Sequence, residues 1–140
     1  MTGAVRLSAA VPAEALYAYL TDPTLRPQWQ ASLRRVADVS GGGEAGSRWV
    51  DVTAVGARPQ LSVLAADPPR SWTEQGRWRG LSATLRLEFI ADGASRCELA
   101  AYFRIDGPGV WRAAAAVLQR LAGPAIAFDL RRAVRLAAGH

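Results

Sequence analysis

The hydrophobic residues of this chain change their spacing once, and that change limits the folds it can adopt. Between residues 33 and 105 they recur at every second position in six runs, which predicts six strands separated by turns rich in Gly, Pro and Asp. After Asp106-Gly107-Pro108-Gly109, which ends the last strand, they recur every three or four positions up to about Ala138. This second pattern predicts one long helix. The chain is therefore of the α+β class, an antiparallel sheet followed by a C-terminal helix.

The element boundaries follow from the turn residues. A strand at residues 4–10 precedes a helix that starts near Pro12, because proline suits the first turn of a helix and Glu14 complements its positive end. A second helical turn is predicted at residues 23–29, with Asp22 as its N-cap. The six later strands are predicted at residues 33–39, 48–55, 60–66, 71–77, 81–90 and 96–105.

The final helix is expected to turn one apolar face toward the sheet and to kink or split at Pro124, which removes a backbone hydrogen bond. The residues predicted for that face are Trp111, Ala114, Leu118, Leu121, Ala125 and Phe128. One hypothesis is an interaction role, in which the basic residues near the end of the helix meet a partner or an anionic surface. A basic amphipathic helix can lie on a membrane, but here the sheet is expected to take up its apolar face. These basic residues are Arg131, Arg132 and Arg135.

Composition narrows the possible functions. Half of the 140 residues are hydrophobic, enough for a substantial core in one domain spanning residues 1–140. All 17 basic residues are arginine, a usage typical of bacterial genomes rich in G and C, and they are dispersed without a nucleic-acid motif, so no nucleic-acid partner is expected. Arg112, Arg120 and Asp129 interrupt the longest apolar stretches, so membrane insertion is not expected. A single cysteine, Cys97, and no visible signal peptide predict a cytoplasmic protein.

Short motifs follow one another in a fixed order along the chain. They are residues 11–23, Gln28-Trp29, Gly46-Ser47-Arg48-Trp49, Asp67-Pro68-Pro69-Arg70 and the hairpin at Asp92-Gly93. Together they resemble the motifs of the START-like superfamily, and within it the bacterial polyketide cyclase/dehydrase-type proteins, over nearly the whole chain. The resemblance implies a helix-grip fold, a curved antiparallel sheet of seven strands around the long C-terminal helix, with two short helices after the first strand.

A sheet bent around one helix leaves a space between the two, and such sites are mostly apolar with a few orienting polar groups. Strand alternation and the five tryptophans suggest which residues line it, since an indole offers a flat apolar face for aromatic or polycyclic ligands. Trp78 and Trp111 would form a lip or a contact between two copies, in a protein expected to be a monomer or homodimer. The candidates for the cavity wall are Trp29, Trp49, Val63, Trp72, Leu85, Leu87, Phe103, Leu118 and Phe128.

Two carboxylates, Asp51 and Glu74, share the strand phase of Trp49 and Trp72. If the tryptophans face inward, both acids do too, and a carboxylate in an apolar cavity would have a raised pKa suited to general acid or base catalysis. In the other interpretation a twist or bulge turns both acids to solvent, where a nearby arginine pairs with them. Exposed acids greatly outnumber catalytic ones, which favours the second interpretation. The arginines in reach are Arg48, Arg77 and Arg79.

The residues available argue against triad, metal and cofactor chemistry and leave two main hypotheses for the cavity. The sole histidine is His140, at the last position, so neither a Ser-His-Asp triad nor a histidine metal site is expected, and no cofactor motif is visible. The first hypothesis is a module that binds a small hydrophobic lipid, polyketide or aromatic molecule. The second is a cofactor-free cyclase or dehydratase in which cavity carboxylates move protons.

Overall fold

The computed structural model describes residues 2–139, and each predicted helix and strand is present there within about two residues of its expected bounds. The helices are α1 (Ala13–Thr21), α2 (Arg26–Trp29) and α3 (Arg112–Ala138), with 3₁₀ turns at Pro23–Leu25 and Gly109–Trp111. The strands are β1 (Gly3–Ala9), β2 (Leu33–Ser40), β3 (Arg48–Thr53), β4 (Gln60–Asp67), β5 (Ser71–Trp78), β6 (Leu81–Ala91) and β7 (Cys97–Asp106).

The strands form one antiparallel sheet in the order β1-β7-β6-β5-β4-β3-β2. Strands β2 to β7 follow one another as a meander, and β1 extends the sheet by pairing with β7. The pairing register shifts twice between β2 and β3 and once between β4 and β5, and such irregularities bend strands and increase their twist. The predicted helix-grip fold, a curved sheet around the long helix, is confirmed.

The segment that leads into α2 begins at a local side-chain cap. Asp22 caps the turn that precedes α2, because its Oδ1 accepts hydrogen bonds from the backbone N–H and the hydroxyl of Thr24, at 3.0 and 2.7 Å. Helix α1 buries Leu16 and Leu20 completely, and α2 packs against β2 and α3. Helix α2 thereby carries Arg26 into the space between the sheet and the long helix.

The long helix turns a different face to the sheet from the one its apolar pattern predicts. Leu121 and Phe128 are 63% and 57% exposed, so the predicted buried stripe is wrong. The helix lies close to the sheet, since a Cβ on Gly123 would be 3.5 Å from the Phe103 ring, and small side chains permit this approach. Helix α3 also continues unbroken through Pro124. Its buried residues are Ala115, Ala127, Leu130, Ala133 and Ala137.

By length and composition alone, the segment Gly109–Ala138 is long and apolar enough to cross a membrane, and such a single helix is weak evidence for a membrane span. In this fold one side of the segment packs on β1 and β7. Only 11% of its most apolar part is buried.

Candidate ligand cavity

A cavity of about 320 Å³ lies between the concave face of the sheet and α3. Its walls are largely apolar, with Leu61 from β4, Leu85 from β6 and Phe103 from β7 facing Ile126 of the helix. Leu118 also lines it and is 40% exposed, so this residue stands at the edge where the cavity opens. The polar side chains in its wall include Arg26, Gln30, Asp51 and Glu74.

Three of these side chains form a buried charged cluster, and each is 4% exposed. Arg26 Nη2 donates a hydrogen bond to Glu74 Oε1 at 3.3 Å, and its Nη1 lies 3.2 Å from Oε2 as an ion pair without hydrogen-bond alignment. Arg26 Nε lies 3.8 Å from Asp51 Oδ1, which also accepts a 2.9 Å hydrogen bond from the Trp49 indole. We call Arg26, Asp51 and Glu74 the charged cluster.

Two tryptophan rings flank the guanidinium of Arg26. Its Cζ lies 5.5 Å from the Trp29 ring centroid and 5.1 Å from that of Trp49, within the range of cation–π attraction. The rings and both carboxylates therefore hold Arg26 in one place. Arg26 Nε, Trp29 Nε1 and Gln30 Oε1 are buried without a hydrogen-bond partner among residues 2–139, and such atoms are costly unless a partner satisfies them.

The pKa values of both carboxyl groups are raised. Burial raises the pKa of Asp51, and the charge of Arg26 and the Trp49 hydrogen bond oppose the rise. Burial also raises the pKa of Glu74, opposed by Arg26 and reinforced by the nearby Asp51. Since two carboxylates face one guanidinium, full ionisation leaves an excess negative charge in a buried site. The cluster therefore takes up a proton at a higher pH than free carboxylic acids do.

The structure brings some of the predicted wall residues to the cavity and leaves others elsewhere. Leu85, Phe103 and Leu118 line it, and Trp29 lines a smaller adjoining hollow of about 100 Å³ beside Arg26. Four others are buried in the core and are not part of the cavity wall. They are Trp49, Val63, Trp72 and Leu87.

Tight packing explains why these core residues do not reach the cavity. The Trp49 and Trp72 rings are stacked 6.5 Å apart, and the Trp72 indole donates a 2.8 Å hydrogen bond to the Gly43 carbonyl. Phe128 is the clearest error, because it points away from the sheet on the exposed face of α3. Its place at the wall is taken by Ile126, on the opposite side of the same helix.

The favoured expectation that Asp51 and Glu74 reach solvent is wrong, and so is the expected pairing with Arg48, Arg77 or Arg79. Both acids keep the inward phase of the tryptophans, and Arg26 is their partner. The sequence pattern did not single out Arg26. One signal was available, because Arg26 is the only basic residue between Arg6 and Arg34, in the segment that packs under the sheet.

Comparison with known proteins agrees with this architecture. Residues 4–138 match the family model described as polyketide cyclase / dehydrase and lipid transport. No curated protein matches the sequence at a significant level. A norcoclaurine synthase point mutant from Thalictrum flavum, in complex with a transition-state analogue, superposes with a TM-score of 0.75 at 12% identity, over 100% of this chain and 95% of that one.

Two further solved structures are similar over almost their whole length. A conserved protein from Geobacillus kaustophilus has a TM-score of 0.74 at 14% identity, over 99% of this chain and 96% of that one. Protein MLL2253 from Mesorhizobium loti has a TM-score of 0.70 at 17% identity, over 97% and 96%. At these identities the likeness shows the fold alone. Together with the match over residues 4–138, it shows that the chain belongs to the polyketide cyclase/dehydrase and lipid transport family of the START-like superfamily.

Proposed function

We propose that this protein binds a small hydrophobic molecule, such as a lipid, a polyketide or an aromatic compound, in the cavity between the sheet and α3. The observation that carries the proposal is an apolar cavity of about 320 Å³ with one buried charged cluster in its wall. Small-molecule sites combine these features, since apolar walls supply affinity and a few fixed polar groups orient the ligand. The family description, which includes lipid transport, supports the same role.

The charged cluster suits the orienting role because it is held rigidly. Arg26 is fixed by two rings and two carboxylates, so little conformational entropy remains to be lost when a ligand binds. A polar group of the ligand that meets Asp51 or Gln30 is therefore bound in a defined direction. The apolar remainder of the ligand lies against Leu61, Leu85 and the rest of the apolar wall.

One observation favours a second function, a cofactor-free cyclase or dehydratase. Asp51 and Glu74 both line the cavity with raised pKa values, so one can be ionised while the other holds a proton. The ionised carboxylate would accept a proton from a carbon beside a substrate carbonyl, while the protonated one donates to the carbonyl oxygen. The pair then carries the same total number of protons as before. No cofactor or metal is needed for this step.

Native mass spectrometry of the freshly purified protein, compared with its denatured mass, tests the binding proposal. A co-purified small molecule that is lost on denaturation would identify the ligand class. If none is found, calorimetric titration with 2-naphthol provides a direct test. We expect Ala122→Phe to abolish binding, because Ala122 lines the cavity and the added ring fills it.

Ala116→Phe is the matched control, since Ala116 lies on the same helix but is exposed and outside this cavity. It should leave binding unchanged. Equal binding by both variants would show that the ligand occupies another site. If the unaltered protein carries no co-purified molecule and does not bind 2-naphthol, the proposal is refuted.

We further infer a single cytoplasmic domain. Cys97 is buried and free, so the fold needs no disulfide, and a reducing compartment is compatible with it. The family match runs through residues 4–138 without a break, which supports one ligand-binding domain.

A further inference from the structure

Helix α3 carries a second apolar face that no other part of residues 2–139 covers. Val117, Leu121, Pro124 and Phe128 follow one another at steps of four, three and four, so they lie along one side of the helix. All four are exposed, with Val117 at 57%, Leu121 at 63% and Phe128 at 57%. We call these four residues the outer stripe. Contiguous exposed apolar residues of this kind mark interaction surfaces.

The outer stripe continues into a group of arginines. Arg131, Arg132 and Arg135 follow Phe128 by three, four and seven positions, which places them on the same side of the helix one to two turns further on. Within residues 2–139, Arg131 and Arg135 form no ion pair, and Arg132 donates to the Gln28 carbonyl. The face therefore presents apolar side chains followed by uncompensated positive charge.

The rest of α3 strengthens this charge. Arg112 and Arg120 bring the arginines of the helix to five, against one acid, Asp129. Asp129 accepts a 3.2 Å hydrogen bond from the Ala31 backbone N–H, and burial raises its pKa. A contact between two copies of this face would bring like charges together. An anionic surface complements it.

The outer stripe also borders the opening of the cavity. Leu118 lies between Val117 and Leu121 in the turn of the helix, lines the cavity and is itself partly exposed. Across the opening, Trp78 and Leu81 line the cavity from the β5–β6 hairpin. A surface that covers the outer stripe therefore also meets the opening.

We propose that the outer stripe and the three arginines that follow it dock this protein on an anionic phospholipid bilayer. The apolar side chains enter the boundary between headgroups and acyl chains, and the arginines pair with lipid phosphates. The helix stays on the membrane surface, because its other side remains packed on the sheet. Docking in this position brings the cavity opening to the lipid, so a hydrophobic ligand passes between the two without crossing water.

Vesicle co-sedimentation at low salt tests the docking. The protein should bind phosphatidylcholine vesicles that contain phosphatidylglycerol, and bind pure phosphatidylcholine much more weakly. Arg131→Gln with Arg135→Gln should weaken binding about 30-fold, since each basic residue near an anionic membrane contributes on the order of 1 kcal/mol. Leu121→Ser with Phe128→Ser should weaken it by at least about tenfold through the loss of apolar burial.

Two matched controls test whether vesicle binding depends on this surface or only on the net charge and apolar exposure of the whole protein. Arg34→Gln with Arg35→Gln makes the same change in net charge on exposed positions of β2, and Val55→Ser alters an 86% exposed residue after β3. Both should leave vesicle binding unchanged. All of these side chains are exposed, so the fold is expected to tolerate each change, which circular dichroism checks.

Three results would overturn the proposal. One is no binding to anionic vesicles, and another is equal weakening by the β2 and α3 arginine variants. The third is a dimer in light scattering that Leu121→Ser with Phe128→Ser converts to a monomer, which would make the outer stripe an interface between copies. Vesicle binding is measured without any cavity ligand, so its failure is distinct from a failure of the proposed ligand-binding function.

Discussion

Replacement of Arg26 by methionine should destabilise this protein by an amount that depends on pH. The side chains of Arg26, Asp51 and Glu74 are each only 5% exposed, so water does not take the place of the lost guanidinium. Methionine is flexible and apolar, and it fills most of the volume left by the arginine side chain. The loss is therefore mainly electrostatic.

The size of this loss in stability follows from the burial of the charged cluster. Removal of one partner from a buried ion pair costs about 3–5 kcal/mol, because a charge is left without compensation. Here two carboxylates lose the same cation, which favours the upper part of that range. For a chain of 140 residues, a loss in the upper part of that range lowers Tm by about 14–17 °C.

The pH dependence has a definite sign. Burial raises the pKa of Asp51 and of Glu74 above the unfolded values, so the folded state binds more protons than the unfolded state. Its stability therefore falls as pH rises through the interval between the unfolded-state pKa and the folded-state pKa of each acid. Arg26 limits this fall by lowering both pKa values. Without it the interval extends to higher pH. The cost of Arg26→Met should therefore be smallest at acidic pH, where protonation neutralises the carboxyl groups, and should grow as pH rises.

Urea unfolding followed by circular dichroism at several pH values measures this cost. Arg70→Met is the control, because Arg70 pairs with Asp67 at the surface and its loss should change stability little at any pH. Glu74→Gln added to Arg26→Met should recover part of the stability at high pH. A cost for Arg26→Met that is independent of pH, or no larger than that of the control, would refute the electrostatic explanation.

Three further changes test neighbouring parts of the structure. Glu74→Gln should flatten the fall in stability with rising pH, and urea titrations that keep the wild-type slope would contradict the raised pKa. Trp49→Phe removes the donor to Asp51 and should cost about 1–3 kcal/mol in urea unfolding, with a further rise in the carboxyl pKa seen by NMR. Gly43→Ala should lower Tm by several degrees in a thermal scan, since Gly43 has a φ of +113° and its Cβ would meet the Thr21 carbonyl. An unchanged Tm would show that this loop relaxes.

The sequence alone determined the order and type of the secondary structure. Period-two alternation and turn residues such as Asp92-Gly93 are local signals, and the strand bounds they predict agree with the structure within about two residues. The cap before α2 is local as well, since the Asp22 side chain accepts its hydrogen bonds from Thr24, two positions away. These elements form where predicted because their signals and their hydrogen bonds lie in the same short segments.

The face of α3 that meets the sheet was decided only by tertiary packing. The helix has apolar residues on two sides, one through Phe128 and one through the alanines around Ala133. Its periodicity alone therefore does not tell which of the two sides packs on the sheet. Close approach to the sheet favours small side chains, and four of the five buried residues of α3 are alanines. The larger ones, Leu121 and Phe128, remain outside.

The charged cluster shows the same division. Strand phase placed Asp51 with Trp49 and Glu74 with Trp72, and this relation holds in the structure. Whether the acids could stay buried depended on a cation that lies 48 positions before Glu74 along the chain. A buried carboxylate is stable only with such a partner, and only the fold brings Arg26 to it.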